Sequence, residues 1–319
     1  MKDINVVCIG VMLVDLPLGP VNENLFTRES TVVDHIQLTT GGDALNEAII
    51  ISRLGHSSAL IGQIGKDMLG DFIIKRCEVD GVDHDSVIRD ANISTRINIV
   101  LIKEDGERHF IKSLNTGASS FRNEDINYNL IKKARVVSLA SIFASKLRDN
   151  KVILNILKTA KENSATTFAD MVPMCNGETL DFLVESLPYL DYFLPNLEEA
   201  KMLTGETTPD SIADCLLGYG VKNVVIKMGK KGCFIKNREN RFTIPAIKAN
   251  VVDTTGAGDN FVAGFITAYL DGKSIVECGE YANVVAAVST ESVGGITGVK
   301  NKQVIEDRII KNRLKTFEY

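Results

Sequence analysis

The stretch VVDTTGAGDNFVAGF, residues 251–265, joins the end of a predicted strand to a glycine-rich turn and the start of a predicted helix. Backbone N–H groups at the start of a helix have no intrahelical partner, and the helix dipole favours an anion there. The turn is therefore predicted to bind an anion, with phosphate as the natural ligand. Its three residues are Gly256, Ala257 and Gly258. Aromatic side chains recur every four positions along the helix that follows, at Phe261, Phe265 and Tyr269.

Asp259 lies inside this turn and needs its own explanation, because a carboxylate beside a bound phosphate is repelled. A carboxylate that points at a substrate hydroxyl can accept its proton while that oxygen attacks a phosphoryl group. The neighbouring amides would then stabilise the developing charge. The alternative is that Asp259 only complements the helix dipole in the first turn. The turn by itself leaves both interpretations open.

The rest of the chain alternates patterns typical of buried strands with patterns typical of helices. Apolar runs such as INVVCIG (4–10) and ARVVSLASI (134–142) alternate with segments of helical periodicity such as ALNEAIIISRLG (44–55) and ETLDFLVESL (178–187). Continuous apolar strands separated by helices predict a parallel sheet covered on both faces, which is an α/β fold.

Residues 16–40 and 94–114 interrupt this alternation. In the second segment, EDGE (104–107) lies between two strands of alternating polarity and is predicted to be a hairpin turn. Both segments are predicted to form a small β-sheet that stands off the main body as a lid. We find no repeat or linker, so residues 1–319 are predicted to form a single domain.

Composition excludes several classes of protein. The 319 residues carry a formal net charge of −5, and Lys and Arg are spread along the chain, which argues against nucleic acid as a partner. The six cysteines are scattered singly, as expected for reduced thiols in the cytoplasm. The start MKDINVVCIG is too polar for a signal peptide, and no apolar run approaches the ~20 residues of a membrane helix. A cytoplasmic protein without a membrane partner is expected.

A second motif makes the pattern specific. DTTGAGD (253–259), taken with TTGGDALNEAIIISRLG (39–55), resembles the two signature regions of the ribokinase-like (PfkB) carbohydrate kinase family. The resemblance extends over essentially the entire chain and is strongest to bacterial sugar kinases of unassigned substrate. It implies a three-layer α/β/α sandwich with a mostly parallel central sheet and a small β-sheet lid. It also implies transfer of the γ-phosphoryl group of ATP to a primary hydroxyl of a small sugar or sugar acid, with Asp259 as the base and the turn amides as the anion hole.

The resemblance also assigns residues to the nucleotide side. Asn196 and Glu199 in LPNLEEAKMLTG match the N-x-x-E element that organises Mg²⁺ and phosphate in relatives, although a capping box at a helix start would give the same pattern. Further residues matched to ATP are Lys227, Gly229 and Gly232 in KMGKKG, together with Asn283. Asp253 and Thr255, with carbonyls of residues 292–295, match the usual place of a potassium ion, so K⁺ is a further candidate cofactor.

On the acceptor side, residues of two segments match the family's sugar-binding positions: Asp15, Gly41, Gly42 and Asn46. A turn acid and a helix-entry loop would give the same pattern. Two departures argue against ribose as the substrate, since Asp43 stands where ribokinases carry Lys and Ser141 where some members place an acid. Four residues of the predicted hairpin could touch a substrate, but a solvated hairpin face is favoured for them: Arg96, Asn98, Arg108 and His109.

Other classes fit less well. A P-loop is excluded because the only GKS, residues 272–274, follows a helix and Thr267 replaces the first required glycine. A dinucleotide site is excluded because Phe261 stands where GxGxxG needs its last glycine. A nucleoside kinase of the same family remains an alternative, with Phe26 and Phe110 as candidate base platforms. A sugar-binding regulator without turnover is a second alternative, and unpaired lid edges make a homodimer through the lid plausible.

Overall fold

The computed structural model describes residues 4–104, 107–113, 120–175 and 177–315, with side chains described as far as Lys311. The centre of the EDGE turn, residues 105–106, and the last position of the second lid segment, residue 114, lie outside this part of the chain.

The strands in chain order are β1 (Val6–Ile9), β2 (Leu13–Val21), β3 (His35–Ile36), β4 (Thr39–Gly41), β5 (Ser58–Gly65), β6 (Val87–Asp90), β7 (Ile97–Lys103), β8 (Arg108–Lys112), β9 (Val136–Ile142), β10 (Thr166–Met171), β11 (Tyr192–Phe193), β12 (Asn223–Lys227), β13 (Cys233–Asn237) and β14 (Arg241–Ile244). The helices are α1 (Asp43–Arg53), α2 (Met68–Asp80), α3 (Tyr128–Ile131), α4 (Asn150–Glu162), α5 (Leu197–Thr204), α6 (Pro209–Gly218), α7 (Ala257–Leu270), α8 (Ile275–Ser289) and α9 (Lys302–Lys315).

The larger sheet has the strand order β14-β13-β12-β11-β10-β9-β1-β5-β6. Neighbouring strands from β12 to β6 pair in parallel, and β13 and β14 add an antiparallel edge. Buried strands connected by helices require this arrangement, since each crossover must cover a face of the sheet. The predicted α/β fold with a mostly parallel central sheet is confirmed.

Helices cover both faces of this sheet. Along β1, Val6 and Cys8 pack into one core with α1, α2, α7, α8 and α9, whereas Val7 and Ile9 pack into the other with α3 to α6. This division follows from the two-residue period of a strand. Within the described residues, no helix is long and apolar enough to cross a bilayer.

The local sequence sets both ends of α2. The Asp67 side chain accepts a hydrogen bond from the backbone N–H of Gly70 at 2.8 Å and caps the start of α2. Gly81 ends α2 in the left-handed conformation with φ +70°.

A second, smaller sheet has the order β3-β2-β7-β8, and β4 also pairs with β2. β2 and β7 run parallel, and β7 and β8 form the antiparallel hairpin expected around EDGE. The prediction of a second, smaller sheet is thus confirmed. Its strands occupy residues 13–41 and 97–112, whereas the predicted segments are residues 16–40 and 94–114.

One predicted helix is wrong. Residues 178–187 form no α-helix, and 3₁₀ turns at Leu180–Phe182 and Leu187–Tyr189 stand in its place. Pro188 disfavours the α conformation at the residue before it and removes a backbone donor. Leu183 and Leu187 are still buried, so the apolar spacing that resembled a helix is satisfied by short turns.

Candidate active site

The parallel strands bring polar side chains to one edge of the larger sheet. Ser141 lies near the carboxyl end of β9, Asp170 near that of β10 and Lys227 at that of β12. Asn196 follows β11, and its backbone forms an isolated parallel β-bridge with that of Lys227. The carboxyl ends of parallel strands meet at one edge, which is where open α/β sheets bind ligands.

The start of α7 forms the glycine-rich turn. Gly256 is its N-cap with φ +69°, and a Cβ on this residue would lie 2.7 Å from the Cα of Gly295. Only glycine fits such a conformation and approach. The N–H of Ala257 donates to the carbonyl of Thr254 at 3.2 Å. A Cβ on Gly258 would lie 3.3 Å from Lys227 Nζ, so an ammonium group stands beside the predicted anion hole.

Asp259 occupies the first turn of α7 and faces α1. Asn46 Nδ2 donates to Asp259 Oδ2 at 2.6 Å, which fixes the carboxylate. Burial raises the pKa of Asp259, while the Asn46 hydrogen bond and the Lys227 charge oppose that rise. A carboxylate held in place with a raised pKa is a stronger base than an exposed one.

Asp15 lies on β2, a strand of the smaller sheet. Asn98 Nδ2 of β7 donates to Asp15 Oδ1 at 2.9 Å, and both side chains are buried. A Cβ on Gly41 would overlap the Asp15 carboxylate, so this glycine allows β4 to approach. Burial raises the pKa of Asp15 to about 6, against the Asn98 hydrogen bond, and the charge of Asp259 raises it further.

Asp43 is the first residue of α1, directly after Gly42, and accepts a hydrogen bond from the Ser141 hydroxyl. Burial and then the Asp259 charge raise its pKa. The structure thus brings the predicted acceptor residues together around Asp259, although their strands and helices come from separate parts of the chain.

Sequence reasoning missed Asp170. Its carboxylate forms a buried ion pair with Lys227 and accepts a hydrogen bond from the backbone N–H of Met171 at 2.8 Å. Burial lowers the pKa of Lys227, but the charges of Asp170, Glu199 and Asp259 outweigh it and raise that pKa. The available signal was an acid near the carboxyl end of the apolar run TTFADMV (166–172).

Asn196 and Glu199 form the capping box at the start of α5. The backbone N–H of Asn196 donates to Glu199 Oε2 at 2.8 Å, and the N–H of Glu199 donates to Asn196 Oδ1 at 2.9 Å. Burial and the neighbouring Asp170 raise the pKa of Glu199 to about 7. A bound cation would stabilise the ionised form of this carboxyl group.

Three other predicted nucleotide-side residues lie near the antiparallel edge. Gly229 begins a short 3₁₀ turn after β12, and Gly232 follows that turn and packs against the Ile244 carbonyl. Asn283 Nδ2 of α8 donates to the carbonyls of Ile244 at 3.3 Å and Pro245 at 3.1 Å. These contacts fix the end of β14.

The loop before α7 contacts the smaller sheet. Asp253 Oδ1 accepts from the N–H of Thr255 at 2.9 Å and from its hydroxyl at 2.7 Å, and Oδ2 accepts from the N–H of Gly294 at 2.8 Å. Arg108 Nη1 of β8 lies 2.6 Å from Thr255 Oγ1 and 3.4 Å from Asp253 Oδ1.

These contacts correct the expectation of a solvated hairpin face. Asn98 is buried against Asp15 and Arg108 binds the loop before α7, because the hairpin packs over the sheet edge instead of standing free. His109 is exposed, as expected. The two aromatic candidates for a base platform are exposed as well, with Phe26 84% and Phe110 38% accessible.

Sequence comparisons identify the family of the chain. Residues 3–302 match the family described as pfkB family carbohydrate kinase. An uncharacterized sugar kinase of Archaeoglobus fulgidus is 32% identical over 251 residues, 78% of this chain and 97% of that protein. The 2-dehydro-3-deoxygluconokinase of Bacillus subtilis is 28% identical over 273 residues, 82% of this chain and 84% of that protein.

Solved structures share the fold. A fructokinase of Xylella fastidiosa with bound ATP superposes with a TM-score of 0.83 at 21% identity, over 98% of this chain and 100% of that one. An E. coli protein in complex with ATP and Mg²⁺ gives 0.83 at 22% identity, over 97% and 99% of the two chains. With residues 3–302 matching the family and the signature residues assembled at one sheet edge, the chain belongs to the pfkB family of carbohydrate kinases, phosphotransferases with an alcohol group as acceptor.

Proposed function

We propose that this protein transfers the γ-phosphoryl group of Mg-ATP to a primary hydroxyl of a small sugar or sugar acid. The observation that carries this proposal is the position of Asp259. Its carboxylate lies in the first turn of α7, beside the predicted anion hole, and Asn46 holds it among the acceptor residues Asp15 and Asp43.

In this proposal the acceptor hydroxyl gives its proton to Asp259 as its oxygen attacks the phosphoryl group. Burial favours this step because it raises the pKa of the carboxyl group. The amides of Gly256 and Gly258 stabilise charge that develops on the phosphoryl oxygens, whereas the Ala257 N–H already donates to the Thr254 carbonyl. Lys227 adds a positive charge beside Gly258. The smaller sheet limits access of water, which would otherwise compete as an acceptor.

Glu199 is the residue we propose for holding Mg²⁺, directly or through water. Its buried carboxyl group and the nearby Asp170 supply the hard oxygen atoms that this cation prefers. Bound Mg²⁺ would neutralise charge on the phosphate oxygens. Asn196 holds the Glu199 carboxylate through the capping box, and Lys227, Gly229, Gly232 and Asn283 are the remaining residues proposed for the nucleotide side.

The residues predicted to bind potassium are poorly suited to that ion. Both oxygens of Asp253 already accept hydrogen bonds, and the Arg108 guanidinium supplies a positive charge 3.4 Å away. We therefore propose that Arg108 takes the electrostatic role of a monovalent cation at this loop.

The test is ADP release from Mg-ATP across a panel of ketoses, aldoses, sugar acids and nucleosides. Turnover with a sugar or sugar acid that disappears in Asp259→Asn supports the proposal. Turnover with nucleosides alone would support the nucleoside kinase instead. Tight sugar binding without any turnover would indicate a regulator. The nucleoside alternative is less favoured, because Phe26 and Phe110 are exposed and give a nucleobase no enclosed platform.

A further inference from the structure

Asn260 directly follows the proposed base Asp259 in α7, and its side chain is fully buried. Its Nδ2 donates to the Gly256 carbonyl at 2.8 Å and to the Gly295 carbonyl at 2.6 Å. Both partners can only accept, so the side-chain amide must present its NH2 group to them. One side chain therefore ties the glycine-rich turn to the loop between α8 and α9.

The glycine-rich turn needs such a tie because its own residues fix its conformation poorly. Gly256 has φ +69°, and glycine adopts either sign of φ about equally well. The Gly256 carbonyl accepts from the backbone N–H of Asn260 at 2.9 Å as well as from Nδ2, so both of its lone pairs are used. A rotation that turned this carbonyl towards a bound phosphate would break both hydrogen bonds and bring two negative groups together.

The loop between α8 and α9 is itself fixed at successive residues. The Gly294 N–H donates to Asp253 Oδ2 at 2.8 Å, and the next carbonyl, that of Gly295, accepts from Asn260. A Cβ on Gly295 would lie 3.0 Å from Nδ2 of Asn46, the residue that orients the proposed base. The loop thus lies against both the turn and the support of the base, and Asn260 joins it to the turn.

The oxygen of the Asn260 side chain is unpaired. Among the residues that the structure describes, Asn260 Oδ1 has no hydrogen-bond partner, although the atom is buried. A buried acceptor without a partner destabilises a fold, so packing alone does not favour an amide at this position. The two hydrogen bonds that its NH2 group donates give the physical reason for an asparagine here.

We propose that Asn260 is a positioning residue for phosphoryl transfer. It holds the Gly256 carbonyl away from the transferred group and keeps the amides of Gly256 and Gly258 directed at that group. This inference rests on the proposed function and adds to it a residue that acts through the turn. Backbone amides stabilise a transition state when they are already in place as charge develops. Loss of the Asn260 side chain should therefore slow the chemical step more than it weakens binding.

The Asn260→Ala variant removes both side-chain hydrogen bonds and leaves the backbone N–H of residue 260 in place. With the best acceptor of the sugar panel, we expect kcat to fall ~10- to 100-fold, because a small displacement of a catalytic group costs about this much. The KM values for that acceptor and for Mg-ATP should stay within ~3-fold of wild type, since the contacts are proposed to act in the transition state.

The Asn260→Ser variant separates the two hydrogen bonds. A serine in a helix can donate its hydroxyl to the carbonyl four residues earlier, which here is that of Gly256. This variant keeps one of the two bonds, so its kcat should lie between those of wild type and Asn260→Ala. A serine variant that is no more active than the alanine variant would contradict a role through the Gly256 carbonyl.

Asn223→Ala is the matched control. Asn223 Nδ2 donates to the Asp191 carbonyl at 2.9 Å, and Asn223 begins β12 at the end of the sheet that is remote from the site. This variant also loses a hydrogen bond from a side-chain amide to a carbonyl, so it should lower the melting temperature without changing kcat. Equal losses of kcat in Asn223→Ala and Asn260→Ala would reduce the effect to general destabilisation and overturn the inference.

Amide hydrogen exchange gives a readout that is independent of turnover. Residues 254–260 and 293–298 should exchange ~10-fold faster in Asn260→Ala than in wild type, and at the wild-type rate in Asn223→Ala. Unchanged exchange in Asn260→Ala, or a kcat within ~3-fold of wild type, overturns the inference and leaves the proposed kinase function standing. Absence of ADP release from wild-type protein with every acceptor contradicts that function, and the exchange rates then still decide whether Asn260 fixes the turn.

Discussion

At the scale of single residues, Asp259 combines two properties of a base. Asn46 fixes its orientation and burial raises its pKa. Removing the charge while keeping the shape, with Asp259→Asn, should lower kcat ~100- to 10,000-fold and leave the melting temperature nearly unchanged. Steady-state kinetics and thermal unfolding check this, and turnover within a few-fold of wild type would contradict the assignment.

The raised pKa of Asp259 predicts how turnover depends on pH. Because burial raises the pKa of Asp259, its carboxyl group takes up a proton at a higher pH than an ordinary aspartate, whose pKa is about 3.9. We expect kcat/KM to fall as the pH is lowered through this raised pKa. A pH profile of kcat/KM with a fixed sugar measures it, and a rate that stays constant down to the ordinary pKa of aspartate argues against Asp259 as the base.

Glu199 gives a prediction for stability. Its pKa of about 7 lies above the ordinary value of 4.5, so the folded protein binds a proton that the unfolded chain releases between these values. The free energy of unfolding therefore falls as pH rises through 7. Glu199→Gln keeps the capping hydrogen bonds and removes the charge, so it should stabilise the protein by about 1–3 kcal/mol at pH 8 and by less at pH 5.

Chemical denaturation of both proteins at the two pH values measures this difference. A Glu199→Gln protein that is less stable than wild type at pH 8 would show that the ionised carboxylate is a net stabilising group.

At the scale of elements, the start of α7 depends on one glycine. Gly256→Ala places a Cβ 2.7 Å from the Cα of Gly295 and keeps φ at +69°, so we expect a loss of about 2–4 kcal/mol in the free energy of unfolding, and a loss of turnover. Gly272→Ala is the control, since Gly272 has φ +75° but open space around it and should cost about 1 kcal/mol. Equal losses in the two variants would mean that packing against Gly295 is unimportant.

At the scale of the whole molecule, Arg108 connects the smaller sheet to the loop that leads into α7. Arg108→Gln removes charge-assisted contacts to Thr255 and Asp253, and we expect kcat/KM for the sugar to fall ~10-fold. The adjacent, exposed His109→Gln should have no effect. Wild-type turnover should be equal in potassium and sodium buffers, whereas added potassium should restore part of the Arg108→Gln activity.

A potassium requirement of the wild-type protein would show that Arg108 does not take the role of that ion. The comparison of wild-type turnover in potassium and sodium buffers therefore tests this role of Arg108 independently of the variant.

The smaller sheet also presents a surface for self-association. β8 is an edge strand, and Phe110 and Ile111 on it are exposed. Pairing or stacking of these sheets would cover both the edge and the apolar side chains, so we expect a homodimer. Size-exclusion chromatography with light scattering measures the mass, and Ile111→Lys should shift the protein to the monomer. A monomeric wild-type protein would contradict this expectation.

Features that depend on local chemistry are predictable from the amino-acid sequence alone. Apolar strand runs and helical periods predict the α/β fold, and the glycines of 251–265 predict a turn at the start of a helix, where α7 begins in the structure. Such features are readable because steric limits on φ, helix termini and strand alternation act over a few neighbouring residues.

Contacts between residues that are far apart in the sequence depend on the tertiary structure. Asp170 and Lys227 form an ion pair, Arg108 binds Asp253 across 145 positions, and Arg96 reaches Ser145. None of these pairs leaves a periodic signal, because strand order and the path of the hairpin over the sheet edge set the partner. The segment 178–187 shows the same limit locally, since its apolar spacing fits a helix and a pair of short turns equally well. Burial, and with it the raised pKa values of Asp15, Glu199 and Asp259, also arises only when separate strands and helices exclude water from one place.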